Sequence, residues 1–179
     1  MPPSNDVWEE RFVRPAAVMD LIASVKTLPQ ADPEKIFLWG HSNGGMITLA
    51  VLEMTGKDYP TVLWAPVSHF FPYDVLYFTN EAEDKGKFLR KELAEFEKDY
   101  DADKYSFDEY LSWIKAPIQI QQGTADPYIP VSWSDSLAER LESLGLVVNY
   151  YLYPGADHQL RNSWDTVVER DVQFFKSFL

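Results

Sequence analysis

Residues Phe37–Ala50 read FLWGHSNGGMITLA. An apolar run stops at Gly40, turns through one serine, Ser42, and enters a helix by way of Gly44 and Gly45. Gly40-His41-Ser42-Asn43-Gly44 fits G-x-S-x-G, the pattern of a sharp strand-to-helix turn that holds a serine hydroxyl out above a sheet. Close backbone approach in such a turn predicts glycine at both flanking positions. Ser42 has two readings. It is a helix N-cap whose hydroxyl bonds to the first turn, or it is a nucleophile at a helix N-terminus, where free N–H groups favour an oxyanion. In the second reading the Asn43 backbone N–H donates to that oxyanion.

Strand-like and helix-like segments alternate on both sides of the turn. Residues 7–28 carry Phe12, Ala16, Met19, Ile22 and Ala23 at helical spacing, and Pro29 stops them. Ile36–Trp39 is short and apolar, which predicts a buried strand. A helix follows over Ser42–Met54 and a second strand over Thr61–Trp64. A third strand is expected at Pro117–Gln121 and a helix at Trp133–Leu144, closed by Gly145. The last strand is Val147–Tyr153 and the last helix Ser163–Leu179. The alternation predicts an α/β three-layer sandwich: a short, mostly parallel sheet of about four strands with helices on both faces. With no repeat or linker, residues 1–179 read as one domain. Residues 68–113 break the rhythm. SHFFPYDVLYFTN is aromatic and EAEDKGKFLRKELAEFEKDYDADKY is charged. This stretch is either a solvated helix pair or a cap-like helical insertion over a pocket.

A chain of 179 residues with 46% hydrophobic and 25% charged residues has the composition of a globular protein with a real core. Its net charge of −12 repels phosphate backbones and anionic lipid, so neither nucleic acid nor a membrane is an expected partner. The absence of cysteine removes thiolate nucleophiles, disulfides and zinc–thiolate sites. MPPSNDVWEE lacks a signal-peptide pattern and no apolar run is long enough to span a bilayer, which reads as cytoplasmic or as a piece of something longer.

A serine nucleophile needs a base and an orienting acid. Of the three histidines, His41 lies inside the turn, so its side chain is expected to point away from the site. His69 follows the second strand and is placed on the pocket wall. His158, in YPGADHQL after the last strand, is the expected base, because the C-terminal ends of parallel strands share one sheet edge. The acid is expected at Asp126 in QQGTADPYIP, directly after the third strand. Asp135 sits on a helix, and Asp157 is too close to His158 in sequence to orient its ring. The order Ser42, Asp126, His158 is that expected of this kind of fold. His41, by its place in the turn, and Trp64, Phe70, Phe71, Tyr73, Trp113 and Tyr128 are further candidates for the pocket, and no metal site is expected.

GHSNGG, LWAPVS, QQGTADPYIPVSWSDSLAERLESLG and YPGADH resemble the catalytic domain of the prolyl oligopeptidase and dienelactone hydrolase group of α/β-hydrolases. The likeness runs from about Val7 to the C-terminus, apart from residues 74–104. It implies the triad Ser42, Asp126 and His158 and no cofactor. It also implies eight strands, of which the sequence places the last four, so the fold is expected to be truncated or minimal. The second oxyanion donor is then expected from the backbone near Ser4 or Asn5, from Tyr128, or from a second chain. Three functions compete. The first is a carboxylesterase, since no arginine or acidic pair is evident to hold a peptide terminus. The second is a prolyl oligopeptidase-type peptidase. The third is a weakly active or inactive remnant that binds a partner. The apolar run IFLW, left without one neighbour, predicts a homodimer built near that strand edge and the N-terminal helix, the alternative being that residues 1–15 fold back over the edge.

Overall fold

The computed structural model describes residues 6–179. Four strands form one sheet: β1 (Leu38–His41), β2 (Thr61–Trp64), β3 (Ile118–Gly123) and β4 (Val148–Tyr153). Their spatial order is β1-β2-β3-β4 and every pairing is parallel. The helices are α1 (Asp6–Val25), α2 (Asn43–Thr55), α3 (Tyr73–Leu76), α4 (Lys87–Phe96), α5 (Val131–Ser143) and α6 (Trp164–Lys176). The expected α/β sandwich is therefore the observed one. The first strand begins two residues later than its apolar run. Leu38 pairs with Thr61 and His41 with Trp64, so the start of β2 sets the start of β1.

The strand residues alternate between two buried layers. Leu63 of β2 and Ile118 and Ile120 of β3 pack with Leu49 and Leu52 of α2 and with Leu137 and Leu141 of α5. Val62 and Trp64 point the other way, into a cluster with Val167 and Phe174 of α6. A sheet covered on both faces removes apolar side chains from water on each side, the main favourable term in folding. Strand β3 reads IQIQQG and is buried throughout, so its glutamines need partners below the sheet. They find Asp171 of α6, which accepts from Gln119 Nε2 at 2.8 Å, Gln121 Nε2 at 2.7 Å and Trp64 Nε1 at 2.7 Å. Burial pushes this carboxyl above its ordinary range, against the pull of those donors.

Between β2 and β3 the chain forms α3, α4 and several 3-10 turns. Of the charged stretch, α4 buries Leu93 and Phe96 and leaves most of its other residues exposed. These two side chains join Phe71 of the aromatic stretch and Trp8 of α1 in a separate cluster. The outer edge of β1 has no partner strand among the described residues, and Trp39 there is 51% exposed. No helix among the described residues is long and apolar enough to cross a membrane.

Replacing Asp171 by alanine strands three buried N–H donors at once. At roughly 1–3 kcal/mol for each unsatisfied group, partly relieved by repacking, the expected loss is on the order of 3 kcal/mol or more. Urea denaturation of Asp171→Ala against the wild type measures it.

Candidate active site

The turn after β1 is held in a conformation that L-residues seldom adopt. Ser42 has φ 56° and ψ −121°, which costs on the order of 1–3 kcal/mol and persists only where the surroundings impose it. Here two backbone bonds impose it: Ser42 N–H donates to Trp64 O at 2.9 Å, and Val67 N–H donates to Ser42 O at 3.0 Å. The serine hydroxyl makes no capping bond to the helix. That speaks against the N-cap reading and leaves the hydroxyl available. Asn43 is the first residue of α2, where a helix N–H has no intrahelical acceptor.

The glycine requirement differs from the pattern read in the sequence. A Cβ on Gly40 would lie 2.5 Å from Gly44 O and 2.6 Å from Thr48 Oγ1, because the strand runs against the start of α2. A Cβ on Gly44 would meet nothing within 4 Å, whereas one on Gly45 would lie 2.7 Å from Pro66 Cβ. The close approaches are therefore at Gly40 and Gly45. Gly44 fits the motif without being sterically required.

Asp126 and His158 come together at the same sheet edge. His158 Nδ1 lies 2.7 Å from Asp126 Oδ2. The other carboxylate oxygen accepts the N–H groups of Tyr128 at 2.8 Å and Ile129 at 2.9 Å. Burial acts to raise the Asp126 carboxyl, but the bonds from His158 and these two N–H groups outweigh it and hold it below the ordinary carboxylate range. An ionised carboxylate only accepts, so the proton of the pair sits on His158 Nδ1 and Nε2 is left as the basic nitrogen. The approach of the two loops depends on Gly123, where a Cβ would lie 2.4 Å from Ala156 O. Ala125 N–H donates to that same oxygen at 3.0 Å.

The other acids are engaged elsewhere. Asp135 accepts from Tyr150 OH at 2.6 Å, and Asp157 accepts from the backbone of Gln159 and Arg161. His41 corrects the expected direction of its ring and agrees with its place among the pocket candidates. Its ring points toward the site, with its centroid 4.5 Å from that of His158 and Nε2 2.9 Å from His158 O. In β1 it shares a face with Trp39, and the loop after β4 crosses that face. Burial lowers the His41 imidazole below its ordinary value, against the bond to the His158 carbonyl. The neutral ring then donates from Nε2 and holds the backbone of His158.

The aromatic candidates divide. Tyr128 lies edge-on to His158 at 5.3 Å and is exposed. His69 packs on Phe70 at 4.3 Å and on Trp133 at 5.1 Å, while Phe70 meets Tyr73 at 4.8 Å. The chain reaches this group directly after Val67, which is bonded to Ser42. Of the other three, Phe71 lines a cavity between α1 and α2, and Trp64 and Trp113 are not pocket walls. The Trp64 ring is committed to Asp171 and packs edge-to-face with Trp164 at 5.2 Å. Phe71 is buried against Trp8 and Phe12. Trp113 lies at the far end of α2, where its carbonyl oxygen faces Gly56, about 20 Å along a 13-residue helix from Ser42. Ser4 and Asn5, expected as oxyanion donors, lie outside the described residues. The cavity lined by Phe71, of about 250 Å³, runs between α1, α2 and residues 105–110, with Met46, Ala50, Glu53 and Met54 along its α2 side.

Gln122 and Ser134 were not apparent from sequence. Gln122 Nε2 donates to Gly123 O at 3.0 Å and lies 3.4 Å from both Asp126 Oδ2 and Ile129 O, while Ser134 Oγ donates to Gln122 Oε1 at 2.8 Å. Together they brace the loop that carries the acid. The one signal in the sequence is a second consecutive glutamine at the end of a buried strand.

A model described as the prolyl oligopeptidase family matches residues 15–179. A Schizosaccharomyces pombe protein that carries a provisional dipeptidyl aminopeptidase name is 24% identical over 155 residues, 86% of this chain and 17% of that one. The chain thus spans about a sixth of the length of the curated relatives it matches. Among solved structures, dipeptidyl peptidase 4 of Porphyromonas gingivalis superposes with a TM-score of 0.73 at 20% identity, over 92% of this chain and 22% of that one. A monoacylglycerol lipase of Paleococcus ferrophilus gives 0.57 at 19% identity, over 89% and 76%. At these identities the structural likeness speaks for the α/β-hydrolase fold alone.

Alanine at Gly44 is expected to leave the melting temperature unchanged or raise it, with up to about 1 kcal/mol gained from helix propensity. Alanine at Gly40 or Gly45 is expected to lower it. Thermal denaturation of the three variants tests that division.

Proposed function

The chain belongs to the prolyl oligopeptidase family, and on that premise we propose that it acts as a serine peptidase, with Ser42 as nucleophile, His158 as base and Asp126 as orienting acid. The observation that carries the roles is the 2.7 Å bond between His158 Nδ1 and Asp126 Oδ2, at the edge where the strained Ser42 turn sits. Ser42 attacks the acyl carbonyl while His158 Nε2 takes its proton, and Asp126 stabilises the imidazolium. The Asn43 N–H donates to the tetrahedral oxyanion. His158 then returns the proton to the leaving amine, and water clears the acyl-enzyme. The exposed hydroxyl of Tyr128, beside His158, is our candidate for a second oxyanion donor. His41, His69, Phe70 and Tyr73 flank the acyl group, with residues 68–113 as a cap on a single domain.

The peptidase reading now stands ahead of the carboxylesterase reading. The family match and the dipeptidyl aminopeptidase name of the yeast relative support amide hydrolysis. The substrate class we propose is a short peptide cleaved after its second residue. The test is a panel of dipeptide p-nitroanilides beside p-nitrophenyl acetate, with fluorophosphonate labelling of Ser42. Anilide turnover is expected, and Ser42→Ala is expected to reduce it on the order of 10⁴-fold or more with the fold intact. Turnover of the acetate alone restores the esterase reading. An unlabelled Ser42 with neither substrate cleaved leaves the binding-module reading.

The β1 edge, unpaired among the described residues, and the half-exposed Trp39 support a two-fold dimer as a further proposal. Sedimentation at micromolar concentration is expected to give twice the chain mass. A monomer means that the edge stays open or is covered within the chain.

A further inference from the structure

We propose that Arg11 and Asp74 are positioning residues that set where the aromatic segment 69–77 stands beside Ser42, and so determine how well a bulky acyl group is bound. This rests on the hydrolase reading of Ser42.

The segment has little local means of holding its own position. Helix α3 spans only four residues, too few for a helix to be stable by itself. One end is tied to the nucleophile, since Val67 N–H donates to Ser42 O at 3.0 Å. The other end is tied to α1. The Arg11 guanidinium forms an ion pair with Asp74 Oδ2, and the Asp74 side chain is fully buried. Asp74 Oδ1 also accepts the N–H of Val75 at 2.8 Å, and the Asp74 N–H donates to Phe70 O at 3.1 Å. The carboxylate thus gathers its own turn and hands it to one side chain of α1. That side chain is itself placed, with Cζ 5.2 Å from the centroid of the Phe71 ring, while Trp8 and Phe12 pack on Phe71 from the same helix.

Buried ion pairs contribute little net stability, because desolvation offsets their attraction, but breaking one leaves a costly unpaired charge. What such a pair supplies here is a fixed geometry. Beyond it, Tyr73 meets Phe70, and Tyr77 packs on Trp133 at 5.1 Å. At the start of the same segment, Ser68 Oγ and His69 Nδ1 are buried without a hydrogen-bond partner among the described residues. Buried polar atoms are normally paired, so the wall that Arg11 and Asp74 hold carries unused hydrogen-bonding capacity beside the nucleophile, as suits a surface that receives a polar, acylated ligand.

The experiment compares two p-nitrophenyl esters that share a leaving group and differ in acyl size: the acetate and an N-acylphenylalanine ester. Arg11→Met is expected to raise KM for the large ester about tenfold with kcat little changed, and to leave kcat/KM for the acetate within about twofold. Arg11→Lys is expected to recover much of that loss. The double variant Arg11→Met with Asp74→Asn is expected to be no worse than Arg11→Met, because no unpaired charge then remains. Equal losses on both esters mean that the pair only supports folding, and no loss on either means that it positions nothing; each overturns the inference. If Arg11→Met does not fold by circular dichroism, Arg11→Gln is read by the same criteria. The two readings fail separately. A wild-type Ser42 that takes no fluorophosphonate removes the hydrolase reading and this inference with it. A labelled Ser42 with no dependence on acyl size removes the inference alone.

Discussion

All four strands run the same way, and that direction organises everything chemical in the molecule. In a parallel sheet every strand ends on one edge, and the loops that leave this edge are forced together. The loop after β1 carries Ser42, the segment after β2 carries His69 and Phe70, the loop after β3 carries Asp126, and the loop after β4 carries His158. The loops are also bonded to one another. Trp64 O receives Ser42 N–H, and Ala156 O receives Ala125 N–H. The strained dihedrals at Ser42 are sustained by these bonds and by the close packing at Gly40 and Gly45, not by the turn itself.

Below the sheet, a second constraint makes that edge rigid. Strand β3 alternates isoleucine and glutamine, and a buried glutamine without a partner is expensive. Asp171 resolves this by accepting N–H groups from two strands onto one residue of α6. Tyr153 at the end of β4 extends the network, receiving Arg170 Nη1 at 2.9 Å. The loop that carries His158 runs from β4 to α6, so both of its ends are fixed by the same polar layer. A core of the same volume without these groups would bury the sheet equally well but would leave the underside without a fixed register.

The third element is α1. It packs beside α2 and reaches over to the segment between β2 and β3 through Trp8, Phe12 and Arg11. Residues far apart in sequence thus share one aromatic cluster, and the position of the cap-like segment depends on the first helix. The family match covers residues 15–179 and so takes in the segment between β2 and β3 as well as the sheet.

Much of the architecture was legible in the amino-acid order because it rests on short-range patterning. Thr61–Trp64 was bounded correctly to the residue, since an apolar run between turn signals has few alternatives. Gly40 through Gly45 announced the serine turn, and the positions of Asp126 and His158 after their strands followed from chain order. Side-chain direction was not legible in the same way. His41 was expected to face away and instead touches His158, because the loop that meets it comes from 117 residues further along the chain. Trp64 and Trp113 read as pocket walls by type and proximity in sequence, yet each is placed by a partner outside its own segment: Asp171 and the end of α2. The need for glycine at position 45 depends on Pro66, which no motif contains. Local sequence decides where a strand ends and which residues follow it. Which face those residues present, and what they touch, is decided by contacts between segments that only folding brings together.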